Sequence, residues 1–145
     1  MPKNYDHLKL ENQLCFPLYA ASRETIKLYH PLLTDLDLTY TQYITMMVLW
    51  EQSGCNVKQL GEKLYLDSGT LTPVLKGLES KGYLKRVRDE NDERIVHVHL
   101  TEAGFALRER AYEIPFRMKE HVTLSEDEMS QLYSLLYKLL DELSE

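Results

Sequence analysis

Residues 56–100 read NVKQLGEKLYLDSGTLTPVLKGLESKGYLKRVRDENDERIVHVHL, and the order of local signals in this stretch decides the fold. Asn56, with Gln59 three residues on, has the form of a helix-opening cap, and Val57, Leu60 and Leu64 follow on one helical face. Asp67-Ser68-Gly69 is a turn, and residues 70–81 predict a second helix stopped by Gly82 just past its end. Pro73 is expected in the first turn of that helix, where a missing N–H has no intrahelical partner. Two β-prone runs, 83–88 and 94–100, then flank the polar turn 89–93. Val96, Val98 and Leu100 alternate with His97 and His99, the period of a half-buried strand. Short helix, turn, helix and two-stranded hairpin is the order of a winged helix–turn–helix.

Outside this stretch the signals are helical. Leu14, Leu18, Ala21, Thr25 and Leu28/Tyr29 recur at spacings of three and four, predicting a long amphipathic helix within residues 8–29 that Pro31 ends. Pro17 lies inside the pattern, so that helix either starts near residues 12–13 or kinks. Thr39 and Gln42 have capping-box spacing ahead of an apolar helix through Trp50, broken by Ser53-Gly54. Helix is expected again after Thr101, to about Lys119. Ser125 and Glu128 form another capping pair before a helix carrying Met129, Leu132, Leu136, Leu139, Leu140 and Leu143 on one side. The expected fold class is mainly α with a small β-hairpin wing, in one domain spanning residues 1–145.

Composition agrees with a single globular domain: 145 residues, 43% hydrophobic and 28% charged. The longest uncharged apolar-rich stretch, residues 43–50, is far too short to span a bilayer, so no membrane partner is expected. Met1 to Asp6 contain no apolar run, which argues against a secretory signal. Two cysteines do not make a disulfide scaffold, so a reducing cytoplasm is expected. The net charge of −6 is unevenly spread. Residues 56–100 carry eight Lys/Arg against seven Asp/Glu, whereas the remaining hundred carry nine against sixteen. The cations concentrate where a nucleic acid would be read, and their position governs such affinity more than the total does.

An α-helix fits the major groove and contacts it through N-terminal and exposed residues. Here these are Ser68, Thr70 and Thr72, whose short hydroxyls approach phosphates or base edges closely, with Lys76 a turn later. The hairpin adds Lys85, Arg86, Arg88 and Arg94, suited to the backbone and the electronegative minor groove. From spacing alone, a charged hairpin is equally a solvated face. The acidic loop residues oppose DNA binding unless Asp92 or Glu93 orients Arg94.

The run from Leu64 to Pro73, with Asp92-Glu93-Arg94 and Leu100-Thr101-Glu102-Ala103-Gly104, resembles the MarR family of dimeric winged-helix regulators. DSGTLTP together with Gln13-Leu14-Cys15-Phe16 looks like the organic hydroperoxide-sensing, OhrR-type repressors. The resemblance covers essentially the whole chain. It implies double-stranded operator DNA as a partner and a homodimer joined by the first and last helices, which agrees with the leucine face of residues 129–143. Residues 1–35 and 101–145 would then form the dimerisation region, and 36–100 the DNA-binding region.

By sequence alone Cys15, among Leu14, Phe16 and Leu18, reads as a small buried hydrophobe; a functional reading needs something that favours thiolate. Tyr19 lies one turn on, and tyrosine hydroxyls can donate hydrogen bonds to a thiolate; their ordinary role is core filling. The resemblance makes Cys15 the peroxide-reactive residue, with the positions of Tyr29 and Tyr40 bonding to it across the dimer and Tyr19 nearby. The implied reaction is attack of the thiolate on an organic hydroperoxide, giving sulfenic acid that condenses with a low-molecular-weight thiol. Cys55 precedes a helix start, where the dipole could favour its thiolate. Two-cysteine members place the second cysteine in the C-terminal helical part, and none follows residue 55, so the one-cysteine type is implied and Cys55 reads as incidental. Pro17 departs from the usual aliphatic residue beside the cysteine. Two alternatives keep the fold: release by a small phenolic ligand, or a broader thiol-based stress or virulence regulator. A thiol peroxidase is disfavoured, since alternating strands and helices and a clear resolving cysteine are lacking. His97 and His99 are too few for a metal site, and no phosphate loop appears, so neither metal nor cofactor is expected.

Overall fold

The computed structural model describes residues 1–144. The chain forms two compact units, Met1–Tyr40 and the part from Thr41 onward. In the first, two 3-10 turns, Asp6–Leu8 and Leu10–Asn12, precede helix α1, Cys15–Thr34. The Asn12 amide donates to the Asp6 carbonyl at 2.7 Å and the Gln13 amide to the His7 carbonyl at 2.7 Å, which holds the chain out of the helix until Leu14. Pro17 is therefore the third helical residue, where no intrahelical N–H is required, and of the two alternatives the late start is the one adopted, at Cys15, two residues past the 12–13 expected. Pro31 does not end α1. It lies inside the helix, which continues one turn to Thr34; the Thr34 hydroxyl donates to the His30 carbonyl at 2.7 Å, and Leu33 is buried. A proline sacrifices one backbone bond of the preceding turn, and here the helix survives that loss.

Helix α2, Tyr40–Glu51, leads to α3, Val57–Leu64, and α4, Ser68–Ser80. The Asn56 capping box forms as expected: its side chain accepts from the Gln59 N–H at 2.8 Å, and the Gln59 side chain accepts from the Asn56 N–H at 2.9 Å. Helix α4 begins two residues earlier than the pattern predicts, because Asp67 accepts the Thr70 N–H at 2.7 Å and serves as cap. Pro73 consequently falls in the second turn, not the first. Gly82, at φ +83°, closes α4: its N–H donates to Glu79 and that of Tyr83 to Leu78, the paired bonds of a Schellman end.

The wing is the antiparallel pair β1, Leu84–Arg88, and β2, Val96–Leu100, in register from Leu84 opposite Leu100 to Arg88 opposite Val96. The segment after α2 lies along the other edge of β2: the Gly54 N–H donates to Val98 and the Val98 N–H to Cys55. Leu60, Leu71, Leu75, Leu78, Leu84 and Val98 are all essentially inaccessible, so α3, α4 and the wing share one core with Met46 and Leu49 of α2. Trp50 donates to the Gly104 carbonyl at 2.9 Å, tying α2 to α5.

The single helix expected after Thr101 is two: α5, Glu102–Ala111, and α6, Ile114–Lys119. Pro115 stands second in α6 and has no N–H for the Ala111 carbonyl, so the ladder breaks there. Helix α7, Glu126–Leu143, opens with the expected Ser125–Glu128 capping box. It buries no residue within the chain, and Met129, Leu132, Leu135 and Leu143 remain exposed. No helix among the described residues is long and apolar enough to cross a membrane.

Candidate functional site

At the head of α4, Ser68 and Thr70 are exposed and Leu71, Leu75 and Leu78 fix the opposite face in the core. Hydrogen bonds from Thr70 hold the Asp67 carboxyl below its usual range, keeping the cap charged. Thr72 differs from its two neighbours. It is half-buried, and its hydroxyl donates to the Ser68 carbonyl at 2.6 Å, which leaves only its acceptor face free of the helix. Lys76 is exposed one turn further along.

The wing arginines, alike in sequence, have different surroundings. Arg86 is half-buried and ion-paired to Glu79 of α4, Nη2 to Oε1 at 2.9 Å, while its backbone N–H donates to Oε2 at 3.1 Å. It locks wing to helix and does not project. Arg88 is exposed and donates to the Glu93 carbonyl at 2.8 Å. Arg94 is the most projecting: its side chain is 90% exposed, and Nε and Nη2 each donate to the Asp92 carboxylate at 3.1 Å. The acidic residue thus orients the arginine while leaving its outer donors free. Lys85 is also exposed.

Sequence reasoning missed the hub of the wing turn. Asp89 accepts the Asn91 and Asp92 N–H groups on one oxygen, at 3.0 and 3.1 Å, and meets His97 Nε2 at 2.9 Å on the other. The only hint in the sequence is a histidine on the returning strand of an acidic loop, which does not single out the pair. His97 and His99 stand with ring centroids 6.4 Å apart, and no group of three metal-ligating side chains occurs among the described residues.

In the first unit Cys15 is the opening residue of α1 and is exposed. Tyr19, one turn on, is exposed, with the Arg23 guanidinium 5.0 Å over its ring and donating to its hydroxyl at 3.2 Å. Tyr29 and Tyr40 meet edge to face, centroids 4.9 Å apart at 64°. Burial raises the Tyr29 hydroxyl above the usual phenol value; burial and then the nearby Tyr29 raise that of Tyr40. Both are therefore protonated donors at neutral pH. Fourteen residues at the helical rise separate Cys15 from Tyr29 on one helix by about 21 Å, so they do not meet within a chain. Beside Tyr40 lies a cleft of about 290 Å³, lined by Leu33 and Leu38 and by Arg23, Lys27 and His30. Cys55, by contrast, is buried, and burial pushes its thiol up, outweighing the backbone hydrogen bond and the Lys63 charge; the dipole-lowered thiol conceivable from sequence is not what the fold makes.

A capped helix standing free at its N-terminal end beside an arginine-tipped hairpin defines a winged-helix transcriptional regulator of the MarR type. Residues 27–110 match the family described as transcriptional regulator SarA/Rot, and the chain belongs to it. It is 51% identical over 143 residues to the organic hydroperoxide resistance transcriptional regulator of Bacillus subtilis, covering 99% of this chain and 97% of the relative. Reduced AbfR bound to DNA, a Staphylococcus epidermidis protein, shares the fold at TM-score 0.79 and 33% identity over 95% of this chain and 96% of that one. A cysteine-to-serine mutant of Escherichia coli MarR complexed with operator DNA does so at TM-score 0.81 and 26% identity over 96% and 99%. These relatives are regulators, not enzymes.

Proposed function

We propose that this regulator is a thiol-based repressor that binds operator DNA as a homodimer and leaves it when organic hydroperoxide oxidises Cys15. The observation that carries the reading is the placing of the two sulfurs: Cys15 exposed at the start of α1, Cys55 sealed in the DNA-reading unit. The kinship with a hydroperoxide resistance regulator and with DNA-bound structures points the same way. In this reading Ser68, Thr70, Lys76, Arg88 and Arg94 contact DNA, Thr72 lends its methyl and acceptor face, and Arg86 holds the wing at its angle. Residues 36–100 read DNA, and residues 1–35 and 101–145 form the dimer. The apolar side chains left exposed on α7, and Leu14, Phe16 and Leu18, await a second copy. Since about 21 Å separates Cys15 from Tyr29 in one chain, the phenols that hydrogen-bond its thiolate come from the partner.

The thiolate attacks the distal peroxide oxygen; the O–O bond breaks, the alcohol departs as alkoxide and takes up a proton, and Cys15 becomes sulfenic acid. A small thiol then condenses with it, forming a mixed disulfide and releasing water. The added bulk changes how the two heads sit on DNA, and about 3 kcal/mol of coupling corresponds to more than a 100-fold loss of affinity. Intact-mass measurement of peroxide-treated protein beside a gel shift on the same sample tests this. Expected are an oxidised Cys15 and lost binding, with Cys15→Ser remaining bound; binding that ignores peroxide refutes the sensor. The cleft beside Tyr40, with cationic rim and apolar floor, favours a second reading: release by a phenolic ligand. Operator release by a phenolic acid with Cys15 unreacted would select it.

A further inference from the structure

We propose that His97 is a positioning residue for Arg94, acting as an imidazolium through Asp89 and Asp92, so that DNA affinity falls as pH rises through the physiological range. Granted the wing's role in reading DNA, on which this rests, the relay is traced bond by bond. His97 Nε2 meets Asp89 Oδ1 at 2.9 Å. The other Asp89 oxygen accepts the N–H groups of Asn91 and Asp92. The Asp89 N–H donates to the Ile95 carbonyl at 2.8 Å, closing the turn. Asp92, placed by that turn, accepts from the Arg94 backbone N–H at 3.0 Å and from its guanidinium. A single imidazole on β2 thereby sets the base of the turn that aims the most exposed arginine of the wing.

Several groups face His97. Asp89 approaches from the turn, Gly54 and Asn56 from the segment along the other edge of β2, and the His99 ring from its own strand. Across the ladder lies Val87, and Lys85 sits opposite His99. The hydrogen bond to Asp89 first, and then the Gly54 backbone and the Asp89 charge, favour the cation over the neutral ring and outweigh the desolvation that opposes it. An imidazolium carries a proton on Nε2 to donate to the Asp89 carboxylate whichever tautomer the neutral ring would take. Since the folded state holds this proton more tightly than a free histidine, the brace is present at pH below the ordinary histidine value and is lost as pH passes upward through the raised one.

The test uses the full-length protein and a fluorescein-labelled duplex selected by it from a random library. Anisotropy titrations run from about pH 6 to about pH 8 at fixed salt, with imidazole NMR on ¹⁵N-histidine protein alongside. Wild type is expected to lose about fivefold in affinity across the range. His97→Gln and Asp89→Asn should bind at the weak, high-pH level throughout, while His99→Gln keeps the wild-type profile. The Asn91 and Asp92 amide shifts should follow the His97 titration in free protein. A flat wild-type profile, or a slope that survives His97→Gln, overturns the proposal. So do amide shifts indifferent to His97. Failure of wild type to bind any duplex instead removes the DNA-binding reading, and the amide titration then decides the brace by itself.

Discussion

Gly61→Ala opposes two forces of known sign. Alanine is favoured over glycine inside a helix by about 1 kcal/mol, so α3 alone would gain. A Cβ built at Gly61 would lie 2.6 Å from the Leu66 carbonyl oxygen, whereas ordinary contact begins at 3.4 Å. The turn after α3 would have to retreat by about 0.8 Å, and the clashing atom is backbone, which cannot rotate aside. That turn is already constrained: Tyr65 is left-handed at φ +57°, the Leu66 N–H donates to Gly61 at 2.9 Å, and Asp67 caps α4. Overpacking of this kind costs about 3 kcal/mol, which leaves a net loss near 2 kcal/mol. For a chain this long, that lowers Tm by about 4–8 °C. Calorimetry at fixed protein concentration reads it. Gly69→Ala is the companion, because its Cβ would meet only the Asp67 carboxylate at 3.5 Å. That variant should gain about 0.5 kcal/mol. An unchanged or higher Tm for Gly61→Ala would refute the packing argument for the helix–turn–helix.

Arg94→Ala should weaken duplex binding about tenfold and reduce the salt dependence by about one ion, read by anisotropy across a salt series. Arg86→Ala should change that slope less, since Glu79 already balances its charge, while lowering Tm. Ser125→Ala removes one half of the capping box on α7 and should cost about 1 kcal/mol, visible as weaker self-association in sedimentation because α7 has no buried side chain of its own. Pro17→Ala should leave Tm within about 0.5 kcal/mol of wild type, since the first turn needs no N–H at that position.

Local chemistry was legible wherever a few neighbouring residues decide the outcome. The Asn56 and Ser125 boxes, the left-handed Gly82 and the alternation of Val96, Val98 and Leu100 all specify conformation within four residues, and the fold honours each. Prolines are less legible, because their effect depends on where the helix begins. Asp67 capping α4 moved Pro73 into the second turn, Pro31 was tolerated inside α1, and Pro115 broke a stretch that periodicity alone joined.

The order of the helices up to the hairpin, the hairpin itself and the family likeness are legible in the chain of residue types alone, since hydrophobic period and capping act over one or two turns. Tertiary structure decided which equal-looking groups differ. Arg86 turns inward and Arg94 outward, Cys55 is buried while Cys15 is open, and Asp89 finds His97 across the wing. Charge, burial and hydrogen bonding at these positions depend on partners distant in sequence, and only folding determines which partners those are.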